Sequence, residues 1–306
     1  MIIELFKEEA NNNWDILLKQ LDHSNFYQSF ANGQIEGYGK RKPRYLIYYE
    51  EGRILAMAMC LYNENIVTIP FGPILENSVN ENKLYDILLA IENYLNTKTI
   101  FSIEESNFCK YRNILNNSLL YWDFTTVQLD IQNKSIEELK KNFNTNRRRI
   151  LKRCLLDLKD SIIIDSKDNI DIFYDLYIKR LKETGGILEE DRDYFENLIK
   201  QNNTGVLLCK NYEHEILSGL IYYIFRDTLI TRHNAFNSKY AKLNPGTFLD
   251  YYMINKVIKD VNLKYYDMSG LATGPNISNK EFNINRYKNS YGPTRKLHYK
   301  WLEFKR

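Results

Sequence analysis

Apolar residues recur along this chain at two spacings, and the order in which those spacings alternate runs through twice. Residues 8–21 put Trp14, Leu17, Leu18 and Leu21 on one helical face. Extended runs follow at 45–49, 54–61 and 66–69, separated by Glu50-Glu51-Gly52 and Asn63-Glu64-Asn65, which predicts an antiparallel meander. Pro70-Phe71-Gly72-Pro73 stops it. An amphipathic helix over 84–95 comes next, then a strand over 99–103, a short helix over 109–115 and a strand over 122–131. The second half predicts helices at 172–181 and 194–200, a meander at 206–210, 216–225 and 228–234, and a helix at 248–259. A strand at 265–268, a short helix at 282–287 and a strand at 297–302 complete it.

One α/β unit used twice explains this order, although the halves share no obvious residue identity. The expected fold class is α/β with mixed (α+β) sheets, built as two tandem domains over residues 1–142 and 143–306. The last strand is free to return to the first domain. Helix, meander, helix, strand, helix, strand is the layout of the acyltransferase fold of many N-acetyltransferases, so both domains are expected to be GNAT-like.

A length of 306 residues suits two domains, and 44% hydrophobic with 26% charged residues is ordinary for globular cores. No apolar run reaches membrane-spanning length, and the N-terminus carries no secretory pattern. Cys60, Cys109, Cys154 and Cys209 are scattered, without a Cys-x-x-Cys pair, and read as buried free thiols in a reducing compartment. A cytoplasmic monomer is expected. No histidine pair or cluster has metal-ligand spacing, so no metal is expected.

A net charge of +3 is too small for binding nucleic acid over the whole surface, so its distribution matters more. Arg147, Arg148, Arg149, Lys152 and Arg153 fall on a helix capped by Asn144 or Thr145, with no acid before Asp157. Ile150, Leu151, Cys154, Leu155 and Leu158 give that helix its apolar stripe. A cationic face of this kind suits the phosphates of RNA or of a nucleotide tail. Near the C-terminus Asp267 lies in an extended run that stops at Gly270, a loop with Gly274 and Pro275 follows, and Tyr287-Lys288 come shortly before Gly292. A cation just past a strand end suits an anionic or carbonyl ligand.

Six segments in order carry a family resemblance: Gln28-Ser29-Phe30, Phe71-Gly72-Pro73, the basic helix from Asn144 to Arg153, and Asn234-Ala235 with Pro245-Gly246-Thr247. Tyr266-Asp267-Met268-Ser269-Gly270 and Tyr287-Lys288-Asn289-Ser290-Tyr291-Gly292 complete the set. With these the chain resembles the Fem family of non-ribosomal peptidyl transferases, which move an amino acid from aminoacyl-tRNA to an amine of a peptidoglycan precursor. The resemblance implies Lys288 as the catalytic cation and Asp267, Tyr266, Tyr287, Arg232 and Asn234 as substrate-binding residues. Asp267 would orient an amine or lysine, or serve as a turn partner. Arg147, Arg148, Arg149, Lys152 and Arg153 would hold tRNA phosphates. Aminoacyl-tRNA enters as co-substrate with no bound cofactor, and the acceptor is an amine-bearing peptide or cell-wall precursor.

Gln34 stands where the family's peptidoglycan enzymes place a diphosphate-gripping lysine, and Phe71 where an arginine often precedes Gly-Pro. The coiled-coil insertion of some members is absent, since 186–192 is a short connection. These departures weaken the case for a nucleotide-linked muropeptide as acceptor and admit a different peptide or small amine. An acyl-CoA N-acyltransferase is the rival enzyme, but the phosphate-loop position 240–247 offers one glycine and a proline without an amide donor. A non-catalytic RNA- or peptide-binding relative is the third alternative.

Overall fold

A computed structural model describes residues 1–39, 41–104, 110–188, 190–273 and 276–304; Cys109, Gly274 and Pro275 lie outside them. Two compact units divide the chain, Met1–Thr125 with Leu297–Arg306, and Thr126–Lys296. The division falls within a long strand, earlier than a boundary at 142, because residues 127–143 pack into the second unit's core.

The first unit opens with β1 (Ile2–Leu5), α1 (Lys7–Leu18), a 3-10 turn at Phe26–Gln28 and α2 (Phe30–Glu36). The meander is β2 (Lys42–Glu50), β3 (Arg53–Asn63) and β4 (Ile66–Ile69), with the short β5 (Ile74–Leu75) on β3. β1 pairs antiparallel with β2, an element the periodicity did not predict. α3 (Glu81–Leu95) crosses back to β6 (Lys98–Glu104), which runs parallel to β4. Asn80 caps α3, and Leu84, Ile87, Leu88 and Ile91 give it a continuous buried stripe. α4 (Arg112–Asn116) precedes β7 (Ser118–Asp130).

The second unit repeats this plan. After β7 come α5 (Ile136–Asn142), α6 (Thr145–Asp157), β8 (Ile162–Asp165), α7 (Ile170–Glu183) and α8 (Arg192–Lys200). β9 (Thr204–Lys210), β10 (Ile216–Phe225) and β11 (Thr228–Phe236) form the meander, with β8 antiparallel on β9. α9 (Pro245–Lys259) crosses to β12 (Tyr265–Leu271), parallel to β11. α10 (Asn279–Asn289) and β13 (Arg295–Phe304) end the chain. The sequence β1-β2-β3-β4 parallel to β6 thus recurs as β8-β9-β10-β11 parallel to β12. β13 returns to pair antiparallel with β6, and β7 lies beside β12.

Each unit has its own core, around Leu46, Ile87 and Phe101 in the first and Leu207, Met253 and Tyr266 in the second. Cys60, Cys154 and Cys209 are free and buried, and burial raises all three thiol pKa values. Among the described residues no helix is long and apolar enough to cross a membrane.

Candidate functional site

The second unit's site forms where β11 and β12 part. Their parallel register runs Thr228↔Tyr265, Leu229↔Tyr266 and Ile230↔Asp267. Beyond it, Ser269 takes a positive φ of 61° and donates from its amide to Asp267 Oδ1 at 2.6 Å, while its hydroxyl donates to the Thr231 carbonyl. A non-glycine residue held left-handed at a strand divergence marks backbone shaped by its surroundings. Clefts at the C-terminal ends of parallel strands are where such sheets bind ligands.

Lys288 reaches this divergence from α10. A Ser278–Glu281 capping box starts that helix, and Lys288 lies in its last turn, where a cation is favoured. Its Nζ donates to the Gly270 carbonyl at 2.5 Å. The side chain is half-buried, and desolvation of the ammonium pulls its pKa down to about 8, against the opposing pull of Asp267 and Asp250. At a pKa of about 8 the ammonium is still the main form at neutral pH.

β12 runs through Asp267 to Leu271, past the end expected at residue 268. The carboxylate is buried and accepts from Thr126 Oγ1 at 2.6 Å and Gln128 Nε2 at 2.8 Å, both on β7. Burial raises its pKa, while these donors and the nearby Lys288 act to lower it. Its hydrogen bonds are to the fold, so it sets the field around Lys288 and pins the turn at Ser269.

Behind Lys288 lies a network that the sequence did not reveal. Asp250, buried on α9, accepts from Tyr266 Oη at 2.6 Å, Tyr287 Oη at 2.5 Å and Tyr291 Oη at 3.2 Å. Desolvation raises the Asp250 pKa against those three bonds and the Arg147 charge, and it raises all three phenol pKa values. Tyr266 is fully buried, so the substrate-binding role expected of it gives way to support of this network. Tyr287 is half-buried and lines a groove with Arg286 and Arg147, beside the N-termini of α6 and α9. Asp250 was signalled only as an acid among Leu249, Met253, Ile254 and Val257, and Tyr291 by its i,i+4 spacing from Tyr287.

Arg147 overturns part of the expected cationic surface. It is 5% exposed, donating from Nε to Ser290 Oγ at 2.7 Å and from Nη1 to Thr247 Oγ1 at 2.5 Å. Its guanidinium lies 4.2 Å from the Tyr287 ring centroid and 4.6 Å from that of Tyr291. The cause is periodic: residue 147 shares a helical face with Leu151, Cys154 and Leu158, which are buried. Arg148, Arg149, Lys152 and Arg153 are exposed, as expected. Arg148 caps the end of α5 through the Phe143 carbonyl at 2.5 Å, and Arg153 pairs with Asp157 at 3.2 Å.

Arg232 is the extra residue of a β-bulge between Ile221↔His233 and Tyr222↔Thr231, and its guanidinium lies 6.0 Å from the Tyr194 ring centroid. Asn234, on the same strand, is exposed. Neighbouring His233 is buried beside Tyr194 Oη at 3.1 Å, and burial lowers its pKa to about 3, so it is a neutral packing residue. Among the described residues no group of acids, histidines and cysteines is placed to hold a metal.

Residues 139–289 match the family described as Acetyltransferase (GNAT) domain. FemX superposes with a TM-score of 0.78 at 13% identity, covering 97% of this chain and 96% of that one. L-PGS from Bacillus licheniformis gives 0.63 at 11%, covering 96% and 91%. A tandem GNAT protein from the clavulanic acid biosynthesis pathway gives 0.59 at 8%, covering 99% and 98%. No curated protein matches the sequence. At these identities the likeness is one of fold, and that fold is the Fem-like tandem arrangement of GNAT acyltransferase domains.

Proposed function

We propose that the chain is an aminoacyltransferase that moves an amino acid from aminoacyl-tRNA to the amine of a peptide or a cell-wall-precursor-like acceptor. The observation that carries this is Lys288, a desolvated cation at the divergence of β11 and β12, on a fold shared with FemX. The ester is already activated, so the protein must mainly position it and stabilise charge. The acceptor nitrogen attacks the ester carbonyl, a C–N bond forms, and the Lys288 ammonium stabilises the oxyanion. The C–O bond to the ribose then breaks, and the proton leaving the amine passes to the ribose oxygen. A lysine with a pKa of about 8 is suited to relay that proton.

The groove beside Arg286 and Tyr287 and the exposed Arg148, Arg149, Lys152 and Arg153 suit the phosphodiesters of an RNA donor. Acyl-CoA is the less favoured donor. At the start of α9, Pro245 has no N–H and the Thr247 N–H bonds the Asn244 carbonyl at 3.0 Å, which withdraws two early amides from any pyrophosphate cradle. Incubation with charged tRNA pools, and separately with labelled acetyl-CoA, against a panel of amines tests the proposal. Transfer from tRNA alone is expected; transfer from acetyl-CoA alone would replace it with the rival chemistry.

A further inference from the structure

The first unit contains a pocket of about 120 Å³ that plays no part in the chemistry above. Its wall is a tightly held turn. Gln28 Nε2 donates to the Pro70 carbonyl at 2.7 Å, Asn25 Nδ2 to that of Phe71 at 2.9 Å, and the Ser102 amide to that of Gly72 at 3.1 Å. Phe71 is thereby fixed at a φ of 53°, its ring against Tyr27 at 4.1 Å and Tyr299 at 4.6 Å. A non-glycine residue whose backbone is held left-handed by so many contacts is a built feature.

That construction leaves acceptors without donors. With its amino group on the Phe71 carbonyl, Asn25, which lines the pocket, leaves its Oδ1 buried and unpartnered. Ser102 is 5% exposed, lines the same pocket, and its Oγ is also unpartnered. Buried orphan groups are costly and few in native proteins. Two carboxylates join them. Glu76 is held ionised by the Ser78 amide at 2.9 Å and the Ser78 hydroxyl, and Glu104 lies in register with Tyr299 on β13. Lys110 is committed to the Asn77 carbonyl at 3.3 Å and lies over the Tyr111 ring, and His23 completes the titratable lining.

We propose that this pocket binds the primary ammonium group of a small organic amine. Such a group has three donors and no acceptor, which matches Asn25 Oδ1, Ser102 Oγ and a carboxylate. Phe71, Phe101, Tyr111 and Tyr299 line the space around the charge, where aromatic faces favour cations. A diphosphate brings only acceptors and negative charge, and is excluded by the same groups.

The test is titration of the purified chain with n-butylammonium chloride, with n-butanol and inorganic pyrophosphate as controls, by calorimetry or ligand-observed NMR. Saturable butylammonium binding is expected, about tenfold or more tighter than butanol, with no pyrophosphate binding. Ser102→Ala and Glu104→Gln should each weaken it by roughly tenfold. Ser102→Ala should leave the thermal midpoint in place, because the lost hydroxyl has no partner. Absence of saturable binding, equal affinity for butanol, a preference for pyrophosphate, or affinities unchanged in both variants would each overturn the proposal.

Discussion

Replacing Arg147 by methionine separates a structural cation from a ligand-binding one. The substitution keeps an unbranched apolar stem and removes the charge. Lost are two hydrogen bonds from a charged donor, to Ser290 and Thr247, and two ring contacts, to Tyr287 and Tyr291. Charge-assisted bonds contribute about 1.5–3 kcal/mol each and desolvated cation–π contacts about 0.5–2 kcal/mol. Relief of the buried charge's own desolvation offsets part of this, while Asp250 loses a neighbouring cation. A net destabilisation of about 3–5 kcal/mol is expected, enough to lower the second unit's midpoint by roughly 10 °C. Arg149→Met, at an exposed site, should change stability by less than about 0.5 kcal/mol. The assay is calorimetric unfolding of both variants beside the parent. Indistinguishable midpoints for the parent and Arg147→Met would refute the buried role.

Charge reversal at Arg149 and Lys152 should weaken tRNA binding and flatten its dependence on salt while leaving the midpoint in place, as filter binding from about 50 to 200 mM salt would reveal; salt-independent binding would leave this face a solvated one. If Lys288 acts as a cation, the rate should fall as pH rises through about 8, whereas a neutral-amine base would make it climb there. Stability should move the other way. The folded pKa lies below the ordinary 10.5, so the penalty for holding the ammonium is full below about pH 8 and fades towards 10.5, and this group's contribution improves with pH across that window. Gly292→Ala should destabilise the second unit by more than about 1 kcal/mol, read by denaturant unfolding, since φ is +61° and a Cβ would sit 2.2 Å from the Asn142 carbonyl oxygen.

Much of this architecture is legible in the chain. Strands such as β10 are buried along nearly their whole length, so unbroken apolar runs with turn residues between them place the meanders. α5 was missed because Ile136 and Leu139 make too short a stripe to register as periodic. β1 and β8 are short edge strands without clear alternation. The candidate site was half visible. The strand–loop–helix from Tyr265 to Lys288 could be read as a place for a cation, whereas its supports could not, because charged residues in a helix are read as solvated by default. Arg147 hides in a run of arginines, and Asp250 in an apolar helix face, and only packing shows what pairs with them.

Lys288→Met, followed by transfer rate and thermal midpoint on one preparation, probes the proposed centre most directly. Loss of one oxyanion-stabilising cation from a desolvated site costs about a hundredfold or more in rate. The Lys288 side chain is half-buried with one hydrogen bond to Gly270, so its removal should leave the midpoint nearly in place. The expected result is therefore a transfer rate from the preferred charged tRNA lowered at least a hundredfold in a protein that melts with its parent. A rate equal to the parent's would place the chemistry elsewhere, and a collapsed midpoint would make Lys288 a structural residue.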